Sequence, residues 1–363
     1  MSELKVEAVA VEEIIPHPNA DRLDVARIKG WYCVVQRDSF RVGDIGIYFP
    51  IDSVLPDKVE GAIFGPDSKI KLDKHRVRTI KLRGVISQGL LVRPEVVGVS
   101  AAYVGEDFTE ALEVKKYEPP VKDAPSVMRG QMISPKRLNP LFSKYTDLQN
   151  IKNYPSVFHD GEPVVITEKL HGTSSRYGIL PTHPRKWWQK VLKFLGLLPK
   201  YEFVFGSRNV QLQDGGTGFY SKNVYRKIKL QYDLKSKLLP GECIYGEIVG
   251  DGIQKGYTYG CGQDQHRFYA YDVMKDGKWL DPEAFFKFCF DRDIPAVPVL
   301  YVGPYSAEIV EKLKKGDSTI GGQLVREGVV IKPAIDTNHY ACGRKVLKAI
   351  NEEYLLRDNT DFH

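Results

Sequence analysis

The sequence has few cysteines and none of the spacings that cysteine chemistry requires. Five cysteines are scattered over 363 residues, and no CxxC pair occurs. A disulfide framework or a structural zinc site is therefore not expected. Long apolar runs are also missing: no stretch approaches the roughly 20 residues that span a bilayer, and the first ten residues lack the apolar core of a signal peptide. We expect an intracellular, cytoplasmic protein in a reducing compartment, with no membrane partner.

The sequence also lacks a strong excess of charge of either sign. Lys and Arg number 52 against 46 Asp and Glu, which gives a net charge of +6 and a pI near 8.8. This mild basic excess is compatible with a nucleic-acid partner but does not require one, because many metabolic enzymes are equally basic. The clustering of charge is therefore more informative than its sum.

The sequence pattern changes along the chain. Residues 1–115 alternate short β-branched runs with turn signals, which is typical of a small barrel or sandwich. Residues 116–132 are rich in proline and are predicted to be a linker. Residues 133–363 mix strands such as EPVVITEKL with helices such as AEIVEKLKKG. An α+β protein is therefore expected, with a β-barrel module followed by a mixed α/β domain.

Two stretches of the first module carry a resemblance. Residues 17–28 (HPNADRLDVARI) and 82–92 (LRGVISQGLLV) resemble the two signature stretches of the tRNA-binding OB module. The resemblance implies a five-stranded OB-type barrel over residues 1–115 that binds nucleic acid. Basic residues cluster around the second stretch, and their density suits phosphate contacts better than a merely solvated face. These residues are Lys69, Lys71, Lys74, Arg76, Arg78, Lys81 and Arg83. Whether the ligand is tRNA itself is left open, since OB modules are widely reused.

The segment Glu168-Lys169-Leu170-His171-Gly172-Thr173-Ser174 is the most informative for chemistry. It follows the apolar strand VVIT. A lysine at a strand end beside a small turn can reach a phosphorus atom, and the two hydroxyls can hold phosphate oxygens. The amine is a nucleophile only when neutral, so nearby cations or a metal must activate it. A KxxG pattern alone is a weak signal.

Five further segments follow in a fixed order. They are SRNV (207–210), IYGEIVG (244–250), HRFYAYDV (266–273), EGVVIKP (327–333) and GRKVLKAI (343–350). Together with EKLHGTS they resemble the ordered motifs of the covalent nucleotidyl transferases, which include DNA ligases, RNA ligases and mRNA capping enzymes. His171 takes the place where DNA ligases and capping enzymes have aspartate, and the OB module comes first. In both features the sequence resembles the ATP-dependent RNA ligase family that seals 3′-OH/5′-phosphate nicks.

The resemblance implies roles for individual residues. Lys169 would attack the α-phosphorus of ATP to give lysyl-AMP, and Arg208 would contact the ribose or the nick phosphate. Tyr271 would stack on adenine, because it directly precedes the aspartate of the FYAYD strand. Phe268 is expected in the core. Further contacts to the nucleotide are assigned to Glu168, Leu170, Gly172, Glu327 and Lys345.

Charged residues of the later motifs complete the predicted site. Glu247 would act in catalysis and, with Glu327, would hold Mg²⁺ or Mn²⁺ through oxygen ligands. Lys348 would contact the α-phosphate. The family usually has two lysines separated by one residue here, whereas Lys345 and Lys348 are three apart. Lys332 would face away from Glu327 on a regular strand, yet could still contact substrate.

The expected partner is RNA or an RNA/DNA nicked duplex, bound by a monomer. Alternatives within the superfamily are a DNA ligase or an mRNA guanylyltransferase. A non-catalytic tRNA- or RNA-binding factor is an alternative from another class. RNA repair, service to a virus and transcript editing all stay open as pathways.

An insert at residues 181–200 (PTHPRKWWQKVLKFLGLLPK) stands apart. Its apolar residues have helical spacing, and it has five Lys or Arg and no acid. Such a helix could lie on a membrane surface. We favour the alternative, a basic helical insert that packs on the domain through its aromatic side chains.

Overall fold

The computed structural model describes residues 4–65, 72–117, 139–184, 187–212, 224–322 and 325–357. The strands, numbered along the chain, are β1 Glu7–Ala10, β2 Glu13–Pro16, β3 Leu23–Ile28, β4 Trp31–Gln36, β5 Ile45–Phe49, β6 Ser53–Val54, β7 Thr79–Leu82, β8 Val85–Gln88, β9 Leu90–Val92, β10 Lys115–Lys116, β11 Gln149–Asn150, β12 Pro163–Lys169, β13 Thr173–Pro181, β14 Tyr201–Ser207, β15 Gln211–Leu212, β16 Glu242–Gly250, β17 His266–Lys275, β18 Lys278–Trp279, β19 Val299–Pro304, β20 Gly328–Pro333, β21 Asn338–His339, β22 Gly343–Arg344 and β23 Leu347–Ile350. The α-helices are α1 Asp57–Phe64, α2 Trp187–Phe194, α3 Val224–Gln231, α4 Leu234–Lys237, α5 Pro282–Asp291, α6 Ala307–Leu313 and α7 Glu352–Leu355.

The chain divides into two compact units. The first comprises Met1–Pro120, Asp147–His159 and Leu347–His363, and the second comprises Val121–Thr146 and Asp160–Val346. The first unit therefore recruits two segments from beyond the predicted barrel. The predicted boundaries at 115 and 133 stay predictions, and the linker lies outside the described residues from 118 onward.

Short antiparallel strands build the first unit, as the turn-rich pattern predicts. The order β1-β5-β9 forms one sheet, β2-β3-β4 a second, and β7 pairs with β8 as a hairpin. Burial alternates along β4. Trp31, Cys33 and Val35 are buried, whereas Tyr32 and Gln36 are exposed. Residues at alternate positions face one side of a strand, so β4 lays one face on the core.

The two OB signature stretches contact each other. The Nε2 of His17 lies 3.1 Å from the carbonyl oxygen of Leu82, and the amide Nδ2 of Asn19 donates to the carbonyl of Arg83 at 2.9 Å. The first stretch therefore holds the tip of the β7–β8 hairpin. The two signature stretches therefore stabilise each other within the first unit.

Part of the predicted basic cluster is used inside the protein. Arg76 is buried; its Nε donates to Asp52 at 3.0 Å, and its guanidinium lies 3.6 Å from the centroid of the Tyr117 ring. Arg78 forms an ion pair of 3.1 Å with Asp73. The expectation that Arg76 contacts phosphate is wrong, because its charge is already paired in the interior.

Three members of the cluster are exposed: Lys74, Lys81 and Arg83. Lys81 and Arg83 lie on or beside the hairpin that His17 and Asn19 support. Lys69 and Lys71 lie outside the described residues.

The two later segments of the first unit pack beside its barrel strands. Strand β11 pairs in parallel with β23. The Nζ of Lys152 donates to Glu352 at 2.9 Å and to Gln88 at 2.6 Å, and the indole of Trp31 donates to Asn153 at 2.7 Å. Removing the barrel would therefore strip these segments of their partners.

Antiparallel sheets build the second unit. Strand β12 lies between β19 and β20, and a larger sheet has the order β15-β14-β13-β16-β17-β18. Helices α3 and α5 contribute Val224, Tyr225, Ile228, Phe285 and Phe288 to the core against that sheet. The expected α+β class with antiparallel sheets is confirmed, as is the predicted helix that begins at Ala307. Among the described residues, no helix is long and apolar enough to cross a membrane.

The insert between β13 and β14 contradicts the expected packing. Residues 187–194 form a helix as predicted, but Trp187 is 78% exposed and Phe194 is 90% exposed. The insert's polar side makes a contact instead: the Nζ of Lys193 donates to the carbonyl of Thr182 at 2.8 Å. The prediction that aromatic side chains pack this insert on the domain is wrong.

Candidate active site

A tight turn between β12 and β13 presents the predicted nucleophile. Lys169 is the last residue of β12, whose preceding residues from Val164 to Glu168 are buried. Gly172 ends the turn, and a Cβ at this position would lie only 2.3 Å from the carbonyl oxygen of Ile248. The turn approaches β16 so closely that glycine is required at this position.

Lys169 is paired with Glu327. Its Nζ donates to Oε1 of Glu327 at 2.6 Å, and the register of the two strands places Lys169 opposite Gly328. Glu327 is buried, and its second oxygen, Oε2, accepts no hydrogen bond from the residues that the structure describes. The Nδ1 of His171 lies 4.0 Å from that oxygen. A buried carboxylate oxygen without a partner is costly, so this atom can accept a cation.

Glu247 supplies a second carboxylate at the same turn. Its Oε1 accepts a hydrogen bond from the backbone N–H of Gly172 at 3.1 Å, and Ser174 lies opposite it across β13 and β16. Desolvation raises the pKa of Glu247 to about 8; the charge of Lys169 opposes this rise and that of Glu327 adds to it. The two carboxylates are thus close enough to repel each other, and the charge of one lysine amine acts on both.

The two carboxylates fit a divalent cation. Among the described residues, no group of three or more His, Cys, Asp or Glu side chains could hold a metal ion by itself. Mg²⁺ does not need such a cage, since it is commonly held by one or two carboxylates together with water and substrate phosphates. Glu247 and the unpartnered oxygen of Glu327 meet that requirement.

Strand β17 alternates between its two faces, and it places Phe268 in the core as the sequence predicts. Phe268, Ala270 and Asp272 are fully buried, and Phe268 belongs to the core, whereas Tyr269 and Tyr271 are half-buried on the other face. This prediction is confirmed.

Tyr271 lies beside the turn that carries the nucleophile. Its hydroxyl lies 2.8 Å from Oγ of Ser174, and its ring centroid lies 4.7 Å from that of Tyr145. Burial raises the pKa of Tyr271, and the negative charge of Glu247 raises it further. The Tyr271 ring is therefore held on the same side of the sheet as the carboxylates.

Arg208 brings a positive charge to this site. It follows β14 and is half-buried, and its charge lowers the pKa of both Glu247 and Tyr271. Such coupling requires proximity. The structure therefore brings together Lys169, Gly172, Arg208, Glu247, Tyr271 and Glu327.

Glu168 and Leu170 have other surroundings than the sequence predicts. The carboxylate of Glu168 accepts from Oγ of Ser318 at 2.5 Å and from the backbone N–H of Thr319 at 2.9 Å. It therefore anchors the 318–319 loop. The side chain of Leu170 is buried. The nucleotide contacts assigned to these two residues stay a prediction.

The last motif contributes two lysines, Lys345 and Lys348. Lys345 donates to both oxygens of Glu162 at 2.7 and 2.8 Å, next to the first residue of β12, whereas Lys169 is its last. The geometry does not bring Lys345 to the nucleophile. Lys348 belongs to the first compact unit, where it pairs in register with Asn150. Its contact to the α-phosphate stays a prediction.

Lys332 belongs to a buried ionic cluster. Its Nζ donates to Asp272 at 2.8 Å and to the carbonyl of Tyr271 at 2.6 Å. Arg344 donates to the same oxygen of Asp272 at 2.8 Å, and so does the hydroxyl of Tyr145 at 2.9 Å. Lys332 therefore holds the backbone of Tyr271 in place. Its contacts give no support to a role in binding substrate.

A loop at residues 251–260, which the sequence analysis does not assign to the site, supports the turn. The hydroxyl of Tyr259 accepts from the N–H of His171 at 2.8 Å, and the side-chain amide of Gln254 donates to the carbonyl of Gly172 at 2.9 Å. The edge of the His171 ring meets Tyr257, with centroids 5.0 Å apart and planes at 89°. The clustered glycines and tyrosines of DGIQKGYTYG, directly after IYGEIVG, were the signal available in the sequence.

Comparisons with known proteins agree with the order of the motifs. A model of the RNA ligase family matches residues 162–350, and a model of an OB-fold domain matches residues 5–94. The fold and site define a nucleotidyl transferase with an OB-fold domain ahead of it. The chain belongs to the RNA ligase family, as the order of its motifs predicts.

Solved structures show the same fold. An RNA ligase of Naegleria gruberi described with PPi is 24% identical, with a TM-score of 0.74 and 98% coverage of both chains. A mutant of that ligase with ATP and Mn is 23% identical, with a TM-score of 0.74 and coverage of 97% of this chain and 98% of that chain. Another mutant, with AMP and Mn, matches with the same TM-score of 0.74 and 23% identity. A comparison with curated protein sequences finds no match.

Proposed function

We propose that this chain is an ATP-dependent RNA ligase that seals 3′-OH/5′-phosphate nicks through a lysyl-AMP intermediate on Lys169. The observation that carries the proposal is the position of this amine. It ends a buried strand, donates to Glu327 at 2.6 Å, and acts electrostatically on Glu247. An amine beside two carboxylates has both a proton acceptor and ligands for a cation within one site.

The first step would join the amine to the nucleotide. The lone pair of Nζ attacks the α-phosphorus of ATP, and the bond from that phosphorus to the bridging oxygen breaks, so that pyrophosphate leaves with the electron pair. The amine must lose a proton before attack. Glu327 already accepts a hydrogen bond from it and is the nearest group to take that proton.

The later steps would return Lys169 to its free form. An oxygen of the 5′-phosphate attacks the phosphorus of lysyl-AMP and displaces the lysine nitrogen. The 3′-OH then attacks the 5′-phosphorus of the adenylylated strand, and AMP leaves. Each step moves negative charge on a phosphoryl centre, so cationic groups such as Arg208 are expected around it.

Glu247 and Glu327 would hold Mg²⁺ or Mn²⁺. When bound, the metal would neutralise charge on the phosphates. The N. gruberi structures with ATP and Mn, or AMP and Mn, support this choice of nucleotide and metal. Tyr271 would stack on the adenine, since its ring is half-buried beside the turn.

The OB-fold domain would hold the RNA-containing duplex. Lys81 and Arg83 are exposed at the β7–β8 hairpin, where paired cations can contact phosphates. We include in the proposal a monomeric, intracellular enzyme. We also expect it to require ribose at the 3′-OH side of the nick, because a 2′-OH favours the sugar pucker that aligns the neighbouring hydroxyl.

Two assays test the proposal. Incubation with labelled ATP or labelled GTP and Mg²⁺ should give a covalent adduct with ATP only; an adduct with GTP alone would make the chain a guanylyltransferase. Four nicked duplexes that differ only in the two terminal sugars then test the substrate. Sealing should require ribose at the 3′-OH, and equal sealing of a DNA 3′-OH would show a general strand ligase.

A further inference from the structure

We propose that helix α2 binds in the plane of an anionic lipid membrane and holds the enzyme at that surface. Neither the nucleotide site nor the OB-fold domain accounts for this helix. It lies within the connection of the β13–β14 hairpin, outside every motif that carries the chemistry. The inference goes beyond RNA ligation and stands without it.

The helix is amphipathic, and its apolar side is exposed. At about 100° per residue, one side collects the aromatic and aliphatic residues and the other collects the polar ones. The apolar side comprises Trp187, Trp188, Val191, Leu192 and Phe194, and Leu195 follows directly after the helix. Most of these residues are exposed, with Phe194 at 90% and Trp187 at 78%. Such a concentration of exposed large apolar side chains marks a surface for a partner.

The attachment of the insert shows which side faces the protein. The N–H of Thr182 donates to the carbonyl of Lys200 at 2.9 Å, which closes the base of the insert across the hairpin. Lys193 lies on the polar side of the helix and donates to the carbonyl of Thr182 at 2.8 Å. The helix is therefore fixed through its polar side. A helix that merely covered the domain would bury its apolar side instead.

The charge of residues 181–200 indicates which kind of partner the apolar side of α2 binds. Residues 181–200 have five Lys or Arg and no Asp or Glu, so the segment complements an anionic surface. Lys190 lies beside the apolar side, as in helices that bury aromatic residues at the lipid boundary and leave lysines among headgroups. Leu197, three residues after the helix, is also exposed and extends the apolar surface. Aliphatic side chains such as Val191, Leu195 and Leu197 suit acyl chains better than nucleic-acid bases, which need flat rings to stack on.

The test uses the full chain and vesicles of phosphatidylcholine, either pure or mixed in equal parts with phosphatidylserine. We expect co-sedimentation with the mixed vesicles and a blue shift of tryptophan fluorescence. Phe194→Ser/Leu195→Ser should weaken vesicle binding about 100-fold, because two large apolar side chains no longer enter the lipid. The matched control is Phe290→Ser, since Phe290 is an exposed phenylalanine elsewhere in the same unit.

Further readouts separate the possible outcomes. Trp187→Phe/Trp188→Phe should keep vesicle binding and lose the blue shift. Unchanged thermal unfolding of Phe194→Ser/Leu195→Ser would show that the fold is intact. Absence of binding to either vesicle, or equal binding by this variant, would overturn the proposal. So would a variant that loses only nicked-RNA binding, which would make α2 an RNA contact, or one that changes only from oligomer to monomer, which would make it a self-association surface.

Discussion

The Nζ of Lys169 lies 2.6 Å from Oε1 of Glu327, although 158 residues separate the two along the chain. The pairing of β12 with β20 produces this contact, since it sets Lys169 opposite Gly328. The motif that contains the nucleophile and the motif that contains a predicted metal ligand thus become one site. The other oxygen of Glu327 accepts no hydrogen bond from the described residues and lies 4.0 Å from Nδ1 of His171.

The first prediction concerns Glu327. Glu327→Gln should lower the rate of adenylylation at least about 100-fold, because it removes both a proton acceptor and a ligand for the cation. It should also remove the rise in unfolding temperature that Mn²⁺ gives in the absence of ATP. Glu311→Gln is the control, since Glu311 is half-exposed and pairs only locally with Lys314. Retention of full adenylylation by Glu327→Gln would show that this carboxylate has no part in the chemistry.

Gly172 tests the geometry of the turn. Gly172→Ala places a Cβ 2.3 Å from a backbone oxygen of β16, so the turn must shift. A displacement of about 1 Å can cost roughly 100-fold in rate, so adenylylation should fall by that order while the fold persists. Gly321→Ala should have no such effect, since a Cβ there meets nothing within 4 Å. Single-turnover adenylylation of the two variants measures the difference; equal rates would mean that the close approach is unimportant.

The sequence predicts the parts of this site that depend on local pattern. The pattern of HRFYAYDV places Phe268 in the core, and this assignment is confirmed. The order of the motifs predicts the family, and the position of the OB module predicts the branch. Each motif is itself a pattern of neighbouring residues, because strand and turn patterns repeat over a few positions.

Long-range pairing explains what the sequence could not supply. Glu168 anchors Ser318 and Thr319, and Lys345 anchors Glu162, with separations of 151 residues to Thr319 and 183 to Glu162. No local periodicity encodes which distant strand or loop a charged residue will meet. The same reason applies to α2: its amphipathic pattern was visible, but the side that faces the protein depends on the closure of the β13–β14 hairpin.

The buried cluster around Asp272 makes a stability prediction. Asp272→Asn should destabilise the protein by about 3–5 kcal/mol, because Lys332 and Arg344 lose their shared buried partner. Asp291→Asn removes only an exposed ion pair to Lys287 and should cost less than about 1 kcal/mol. Urea unfolding of both variants makes the comparison. Equal losses would show that the cluster contributes nothing special.

The same carboxylate predicts a pH dependence. Burial alone would raise the pKa of Asp272, but the charges of Lys332 and Arg344 outweigh it and lower the pKa below its usual 3.8. Because the pKa is lower in the folded state, its stabilisation is present above that usual value and is lost as the pH falls through the folded one. The Asn variant should therefore lose less stability than wild type as the pH falls below 3.8; parallel acid profiles would contradict this assignment.

The OB-fold hairpin predicts a separation of functions. Lys81→Glu/Arg83→Glu should leave adenylylation unchanged and impair sealing, because the two charges meet phosphate only when the duplex binds. The slope of log affinity against log salt should fall by about 1 for each lysine or arginine that no longer neutralises a phosphate. Lys58→Glu/Lys115→Glu reverses two exposed charges elsewhere in the same unit and serves as the control. Point variants are preferable to deletion of the barrel. Deletion would remove Trp31, the partner of Asn153, and Gln88, a partner of Lys152.

The most direct measurement is the mass of the intact protein after incubation with ATP and Mg²⁺. Wild type should gain the mass of one AMP, and peptide mapping should place it on Lys169. Lys287→Ala, which removes an exposed lysine of the same unit, should gain the same mass. Lys169→Ala should gain none while keeping its fold. An AMP adduct that persists on Lys169→Ala would contradict the account, since the nucleophile would then be another residue.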